Sequence, residues 1–347
     1  MILQNYYMFF KLKYSIINIM KGKNIDKLGE FGLIDFIKKH NTKPKSYHNV
    51  CLDIGDDCFS FNPHTKSKYI VTTDILIENI HFKTEWATAK QIGQKAIEVN
   101  VSDIASMGNT KPLYAFISLG IPKNTPIDFI KQLFNSIKNT CTKYGIHLSG
   151  GDTVGAKDIT ISVTLAGICY DKPISRTGAK NGDLIFVTGT FGDSVAGLEI
   201  LSKAKKNLTI SEKNLIKKHL VPQARLKEAN LISKAIKVTS MTDSSDGLFK
   251  SIELLTENKG AVINMEKIPL SQNLIKYTNK DYNKLYNCAL FGGEEFELVF
   301  TINKKDKTKL EKLLPNVTCI GYINNGKVTY LQNGKTKKVK YNGYKHF

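Results

Sequence analysis

The 347 residues carry 50 Lys and Arg against 31 Asp and Glu, a formal charge of +19, with 41% hydrophobic and 23% charged positions. That length exceeds one small core and favours two domains of ordinary size in a globular, soluble chain. The charge calls for acidic partners, but no zinc-finger spacing or RNA-recognition aromatic motif accompanies the lysines, so a solvated lysine surface is favoured over a nucleic-acid groove.

Residues 1–26 read as an unstructured extension. Lys11 and Lys13 interrupt the Ile-, Tyr- and Phe-rich start, leaving no apolar stretch able to span a bilayer. Met20 is an alternative start, and a peripheral membrane-anchoring helix is the functional competitor. Gly29-Glu30-Phe31-Gly32 introduces a short amphipathic helix, and Asp53-Ile54-Gly55-Asp56-Asp57 is a glycine-supported acidic turn. A strand over 68–77 carries Thr72-Thr73-Asp74 at its end, followed by His81 in a loop. Spacing predicts a helix over 91–107, with Asn100 and Asp103 on one face. A strand follows at 112–121, then a helix from Pro126 to Gly145 with Ile127, Ile130, Phe134, Ile137 and Cys141 as its stripe. His147 to Thr153 gives another glycine-flanked aspartate, Asp152, whose paired glycines serve either close approach to a ligand or a plain turn. The alternating strand Ile159, Ile161, Val163, Leu165 closes this half.

Residues 173–182, including Arg176, read as a linker between a domain at 27–172 and a second α/β domain at 183–347. The second begins with a strand over 184–187, a turn over 188–193 and a helix from Ser194, and helices near 211–220 and 223–236 follow. A short strand then leads into Asp243-Ser244-Ser245-Asp246-Gly247 and an apolar-periodic helix. Two carboxylates at a helix entrance suit a hard cation with an anion at the helix start, or else Ser245 or Asp246 caps the helix. Phe291-Gly292-Gly293-Glu294-Glu295 precedes a strand over 296–300. Gly321 to Lys327 has a P-loop skeleton, but Val328 stands where Ser or Thr must ligate magnesium, and Asn325-Gly326 reads as a hairpin turn.

Only Arg176 and Arg225 among the basic residues are arginines, so each marks either a site needing a planar fork or a structural ion pair. The six cysteines form no Cys-x-x-Cys pair, which fits reduced thiols and a cytoplasmic location.

The order of these aspartates, with Gly-Glu-Phe-Gly-Leu-Ile before them, Thr-Asp-Ile-Leu and His-Phe between, and Phe-Gly-Gly-Glu-Glu-Phe-Glu-Leu after, resembles thiamine-monophosphate kinase. That family belongs to the ATP-binding superfamily of aminoimidazole ribonucleotide synthetase, and the resemblance runs from about residue 28 to 347. It implies a two-domain α/β fold whose N-terminal sheet pairs into a barrel across a homodimer. The implied reaction is Mg2+-dependent transfer of the ATP γ-phosphoryl to thiamine monophosphate, giving thiamine diphosphate and ADP, with neither nucleic acid nor membrane as partner. The resemblance implies Asp57, Thr72, Thr73, Asp74, Asp103, Asp152, Asp243 and Asp246 as ligands of several magnesium ions, with Asp103, Asp152 and Asp243 carrying charge stabilisation through them. Gly151, Asp152, Arg176 and Ser245 would contact ATP, while His81, Glu294 and Tyr344 would contact the substrate; Tyr344 stands where Trp is common. Another ATP-dependent enzyme of the superfamily is the alternative, and a basic nucleic-acid-binding protein the outsider. Physics agrees with the first reading. Two carboxylates about 4 Å apart at an effective dielectric near 20 repel by roughly 4 kcal/mol, so a cluster of six needs several cations. An anionic phosphate oxygen as attacking group requires no general base.

Overall fold

The computed structural model describes residues 50–52, 56–61, 67–257 and 259–338. The extension over 1–26, the helix expected from Gly29, the start of the acidic turn at 53–55 and the tail with Tyr344 lie outside the described residues. By chain contacts, residues 1–45 with 345–347 form one unit and 46–344 another, and every described residue belongs to the second.

The first half is built on a six-stranded sheet in the order β1-β2-β3-β6-β4-β5. Its strands are β1 (Val50–Leu52), β2 (Phe59–Phe61), β3 (Lys68–Ile77), β4 (Thr110–Ile121), β5 (His147–Gly155) and β6 (Thr160–Cys169). β3 and β6 pair antiparallel from Lys68 opposite Cys169 to Ile77 opposite Thr160. Period-two alternation sets which face each residue meets: Ile161, Val163 and Leu165 of β6 are buried while their neighbours are half-buried. Thr72, Thr73 and Asp74 therefore sit mid-strand rather than at a strand end. Thr72 is buried on the core side, whereas the Thr73 hydroxyl faces the other way, 3.1 Å from the Thr164 hydroxyl.

Two helices cover one face of this sheet, α1 (Ala89–Ser106) and α2 (Ile127–Tyr144). Thr88 and Gln91 form a capping box at the start of α1, and Gly145, at φ 68°, ends α2. The face α2 buries is Leu133, Ser136, Ile137, Thr140 and Cys141; Ile127 and Phe134 of the expected stripe are exposed. That face is chosen by Gly93, whose missing side chain lets α1 approach the Leu133 carbonyl and Ser136. The other face of the sheet carries exposed Ile75, Tyr114, Phe116 and Val154. Residues 147–155, read from the sequence as a glycine turn, instead form β5, an exposed edge strand parallel to β4. Gly151 is required there because a Cβ would collide with the Ile117 carbonyl.

The second half is a seven-stranded sheet with helices on both faces, in the order β13-β12-β9-β11-β7-β10-β8. The strands are β7 (Leu184–Val187), β8 (Val238–Asp243), β9 (Gly260–Asn264), β10 (Leu298–Ile302), β11 (Thr318–Asn324), β12 (Thr329–Gln332) and β13 (Lys335–Lys338). The helices are α3 (Asp193–Ser202), α4 (Ile210–Leu220), α5 (Leu226–Ala235), α6 (Leu248–Thr256), α7 (Gln272–Tyr277), α8 (Tyr282–Phe291) and α9 (Lys307–Leu313). Ile185 and Val187 pack with Leu248, Ile252 and Leu290 on one side; Phe186 and Phe300 stack at 5.9 Å on the other, with Ile232, Leu310 and Ala105 of α1. Burying side chains of this size contributes about 1.5–3 kcal/mol each. The Asn325-Gly326 turn does not make a hairpin. β9 lies between β11 and β12, pairing antiparallel with the first and parallel with the second. Gly321 is thus inside a strand, which disposes of the P-loop skeleton.

Helix α1 joins the two halves through polar contacts. Glu98, fully buried, accepts hydrogen bonds from Lys143 Nζ at 2.7 Å, Tyr144 Oη at 2.6 Å and the Ala224 N–H at 2.8 Å. Glu98→Leu keeps the volume but leaves the buried donors unmatched, and is expected to cost about 3 kcal/mol of stability. Urea unfolding checks this: a lower midpoint at unchanged slope is the expected outcome.

Candidate active site

Four carboxylates from separate elements meet where the C-terminal turn of α1 approaches β3 and β8. Oxygens of Asp57, Asp103 and Asp243 all lie within 4.8 Å of one another. Asp74, on the buried side of β3, shares a hydrogen bond with Asp103. Two carboxyls can do so only when one keeps its proton. Hydroxyls hold the group in place: Thr72 Oγ1 donates to Asp103 at 2.5 Å, Ser102 Oγ to Asp243 at 2.6 Å, Ser106 Oγ to Asp57 at 3.0 Å and Thr242 Oγ1 to Asp57 at 3.2 Å. The Arg176 guanidinium pairs with Asp57, and Ser175 Oγ donates to Asp56 at 2.9 Å. The segment expected to be a linker is therefore fixed. It runs along β8, the edge strand, with the Ser175 carbonyl accepting from the Met241 N–H at 3.2 Å.

The electrostatics follow from crowding. Burial, then Asp57 and Asp246, push the Asp74 carboxyl up to about 6. Burial and Asp57 push Asp243 up to about 8, and burial with Asp74, Asp243 and Asp57 holds Asp103 well above the carboxylate range. Hard oxygen donors so close together fit a divalent cation such as Mg2+.

The Asp243–Gly247 turn ends in Gly247, at φ 99°, which is the N-cap of α6. Gly247, rather than Ser245 or Asp246, thus occupies the N-cap position. Ser245 is bound from behind instead: its carbonyl accepts the Glu294 N–H at 2.6 Å. Asp246 is exposed and faces Asp74 electrostatically.

A second polar group adjoins this turn. Glu294 Oε1 lies 2.7 Å from Lys95 Nζ, and Glu294 Oε2 lies 3.2 Å from His219 Nδ1. Lys95 Nζ also donates to the His81 carbonyl at 3.3 Å. The Ile77 N–H donates to His81 Nδ1 at 3.0 Å, which leaves a proton of the neutral ring on Nε2.

Residues 55–169 match the AIR synthase related protein, N-terminal domain, and residues 180–332 the AIR synthase related protein, C-terminal domain. The thiamine-monophosphate kinase of Aquifex aeolicus (strain VF5) is 36% identical over 325 residues, covering 93% of this chain and 99% of that protein. The chain belongs to the thiamine-monophosphate kinase family. Its relative from Buchnera aphidicola subsp. Schizaphis graminum (strain Sg) is 36% identical over 334 residues, covering 92% and 98%. The solved structure of AaThiL complexed with AMPPCP and TMP superposes with a TM-score of 0.82 at 35% identity, over 94% of this chain and 99% of that one. The mixed α/β, two-domain, AIR synthase-like fold is thus the family's.

Of the site residues expected in this family member, Asp57, Thr72, Asp74, Asp103, Asp243 and Arg176 come together, and His81 with Glu294 forms the adjoining group. Asp152 and Gly151 lie apart on exposed β5, where the Thr153 N–H donates to Asp152 at 2.8 Å. Thr73 directs its hydroxyl to the open sheet face. Arg225 proves to be a structural fork. Its Nε and Nη2 donate to buried Glu297 at 2.6 and 2.5 Å, and Gly189 packs against the same carboxylate. Lys95, Ser102, Ser106, Thr242 and His219 were missed. The available signal was a polar spacing inside a buried helix: Lys95, Glu98, Ser102 and Ser106 recur along one side of α1.

A carboxyl whose proton affinity is higher in the folded than in the unfolded state stabilises the fold below its ordinary value of 3.8 and loses that contribution as pH rises through its folded value, here about 6 for Asp74 and about 8 for Asp243. The metal-free protein is therefore expected to melt at lower temperature as pH rises across that window. Mg2+, which binds the ionised forms, should raise the melting temperature more at pH 8 than at pH 6. Calorimetry at the two pH values checks this, and an equal shift at both would mean that the ion does not engage these carboxylates.

Proposed function

We propose that this chain is a Mg2+-dependent thiamine-monophosphate kinase, which moves the γ-phosphoryl of ATP onto the phosphate of thiamine monophosphate by direct in-line attack, without a phosphoenzyme. The observation that carries this reading is the convergence of Asp57, Asp103 and Asp243 within 4.8 Å in a chain of this family. Magnesium ions, when bound, would supply neutralisation of the phosphate charge. Asp57, Thr72, Thr73, Asp74, Asp103, Asp152, Asp243 and Asp246 are its proposed ligands. Gly151, Asp152, Arg176 and Ser245 are assigned to ATP; Arg176, paired with Asp57 through Nη2, can exchange that carboxylate for a nucleotide phosphate. His81, Glu294 and Tyr344 are assigned to thiamine monophosphate. The attacking phosphate oxygen is anionic at neutral pH, so the chain needs to orient it and shield it, not deprotonate it.

The proposed enzyme is a cytoplasmic homodimer with domains at 27–172 and 183–347 joined by 173–182. The matched ranges 55–169 and 180–332 support those bounds. Exposed Ile75, Tyr114, Phe116 and Val154, on a sheet face that no helix covers among the described residues, support a second copy there, closing a barrel between the two sheets. Among the described residues no helix is long and apolar enough to cross a membrane.

Purified protein with ATP, Mg2+ and thiamine monophosphate is expected to form thiamine diphosphate and ADP. Asp103→Asn and Asp243→Asn should each lower turnover by at least about a hundredfold while leaving a cooperative melting transition. Absence of thiamine diphosphate from metal-replete protein would refute the kinase, and turnover retained in both variants would refute the metal assignment. Phe116→Asp is expected to convert the dimer to monomer in sedimentation velocity; an unchanged dimer would place the contact elsewhere.

A further inference from the structure

We infer that Lys95, with His219 behind it, is a positioning residue for the cationic aminopyrimidine–thiazolium part of thiamine monophosphate, acting through Glu294. This rests on the kinase reading and on Glu294 as a substrate contact. Lys95 is 2% exposed, on a helix otherwise packed into the core, and an ammonium is not buried there without partners of matching charge. Its partners are the Glu294 carboxylate and the His81 carbonyl, at 2.7 and 3.3 Å. One ammonium thus fastens together the two residues, 213 positions apart, that are assigned to the same substrate.

The backbone points the same way. Glu294 at φ 63° and Phe296 at φ 53° hold left-handed conformations that residues with side chains rarely adopt, and such conformations persist where the surroundings over-determine them. Here the surroundings are identifiable. The Glu294 N–H donates to the Ser245 carbonyl, the Glu295 and Phe296 N–H groups donate to the Ser244 carbonyl at 3.2 and 3.0 Å, and Glu295 Oε1 accepts the Ser194 N–H at 2.9 Å. The turn is strapped to the backbone of the acidic turn, and Lys95 and His219 then hold its side chain, one at each oxygen.

Charge explains why this carboxylate needs a lysine. Burial opposes ionisation of Glu294, yet the Lys95 ammonium beside it holds its carboxyl below the ordinary range. An ionised carboxylate beside the acidic turn would otherwise attract a divalent cation. Paired with Lys95 it has little net charge, while each oxygen keeps a lone pair. The Glu294 side chain is 28% exposed. It is thereby kept as a hydrogen-bond acceptor for an amine and as a partner for a diffuse organic cation, outside the metal cluster.

The test is steady-state kinetics on the full chain with Mg2+, varying ATP and thiamine monophosphate separately. Lys95→Met is expected to raise KM for thiamine monophosphate about tenfold or more, with KM for ATP and kcat changed by less than about threefold. His219→Gln should raise the same KM by about threefold. In Lys95→Met/Glu294→Gln the rise should not exceed that of Glu294→Gln alone, since both act through one group. If Glu294→Gln leaves this KM unchanged, the assignment of Glu294 fails and the inference with it. If Glu294→Gln raises it while Lys95→Met and His219→Gln do not, the inference alone fails. Equal rises in both KM values for Lys95→Met would also overturn it, showing a general structural role. Should Lys95→Met lose its melting transition, His219→Gln decides, and an unchanged KM there overturns the inference.

Discussion

The structure depends on one constraint: helix α1 carries a polar side into the protein interior, and every group on it must find a partner there. Lys95 finds Glu294, Glu98 finds the Ala224 N–H, and Ser102 finds Asp243, all from the second half of the chain. On its other sides the same helix packs Ile92, Ile97 and Ile104 into the first core. The register of α1 therefore fixes where the Glu294 carboxylate, the Ala224 N–H and Asp243 lie relative to one another. A rotation of the helix would unmatch all three at once.

Around that helix the molecule separates two kinds of buried carboxylate. Glu98, Glu294 and Glu297 each have a cationic side chain beside them, in Lys143, Lys95 and Arg225. Asp103 and Asp243 are held chiefly by hydroxyls, and Asp57 pairs with Arg176. Hydroxyls orient a carboxylate without neutralising it, so the cluster keeps its attraction for added cations. Pairing with Lys or Arg removes that attraction.

Much of this was legible in the sequence. The strand over 68–77 and the strand over 184–187 have the bounds read from the sequence, because β-branched and aromatic residues dominate each. The order of the aspartates, through the resemblance it carries, singled out Asp57, Asp74, Asp103 and Asp243, which the fold brings together. What was not legible depended on partners distant in sequence. Residues 147–155 look like a turn because their glycines outweigh strand propensity, yet β4 supplies a ladder that makes them a strand. The buried face of α2 is set by Gly93 on another helix, and Asn325-Gly326 resembles a hairpin turn although β9 intervenes. Lys95 was missed for a related reason: among 48 lysines a single one stands out only through its polar spacing with Glu98, Ser102 and Ser106 on a helix that the fold buries.

The strand order of the second sheet bears on how the protein is made. β7, β8 and β9 are not neighbours of one another; each pairs only with β10, β11 or β12, which come later in the chain. A ribosome that has delivered 297 residues has therefore released three strands with nothing to pair with, while the first sheet already has all of its strands. Asp243 gains its ladder partner when β10 aligns beside β8, with Leu298 opposite it. The acidic cluster is thus completed late, and a chain truncated before residue 298 lacks the strand beside Asp243.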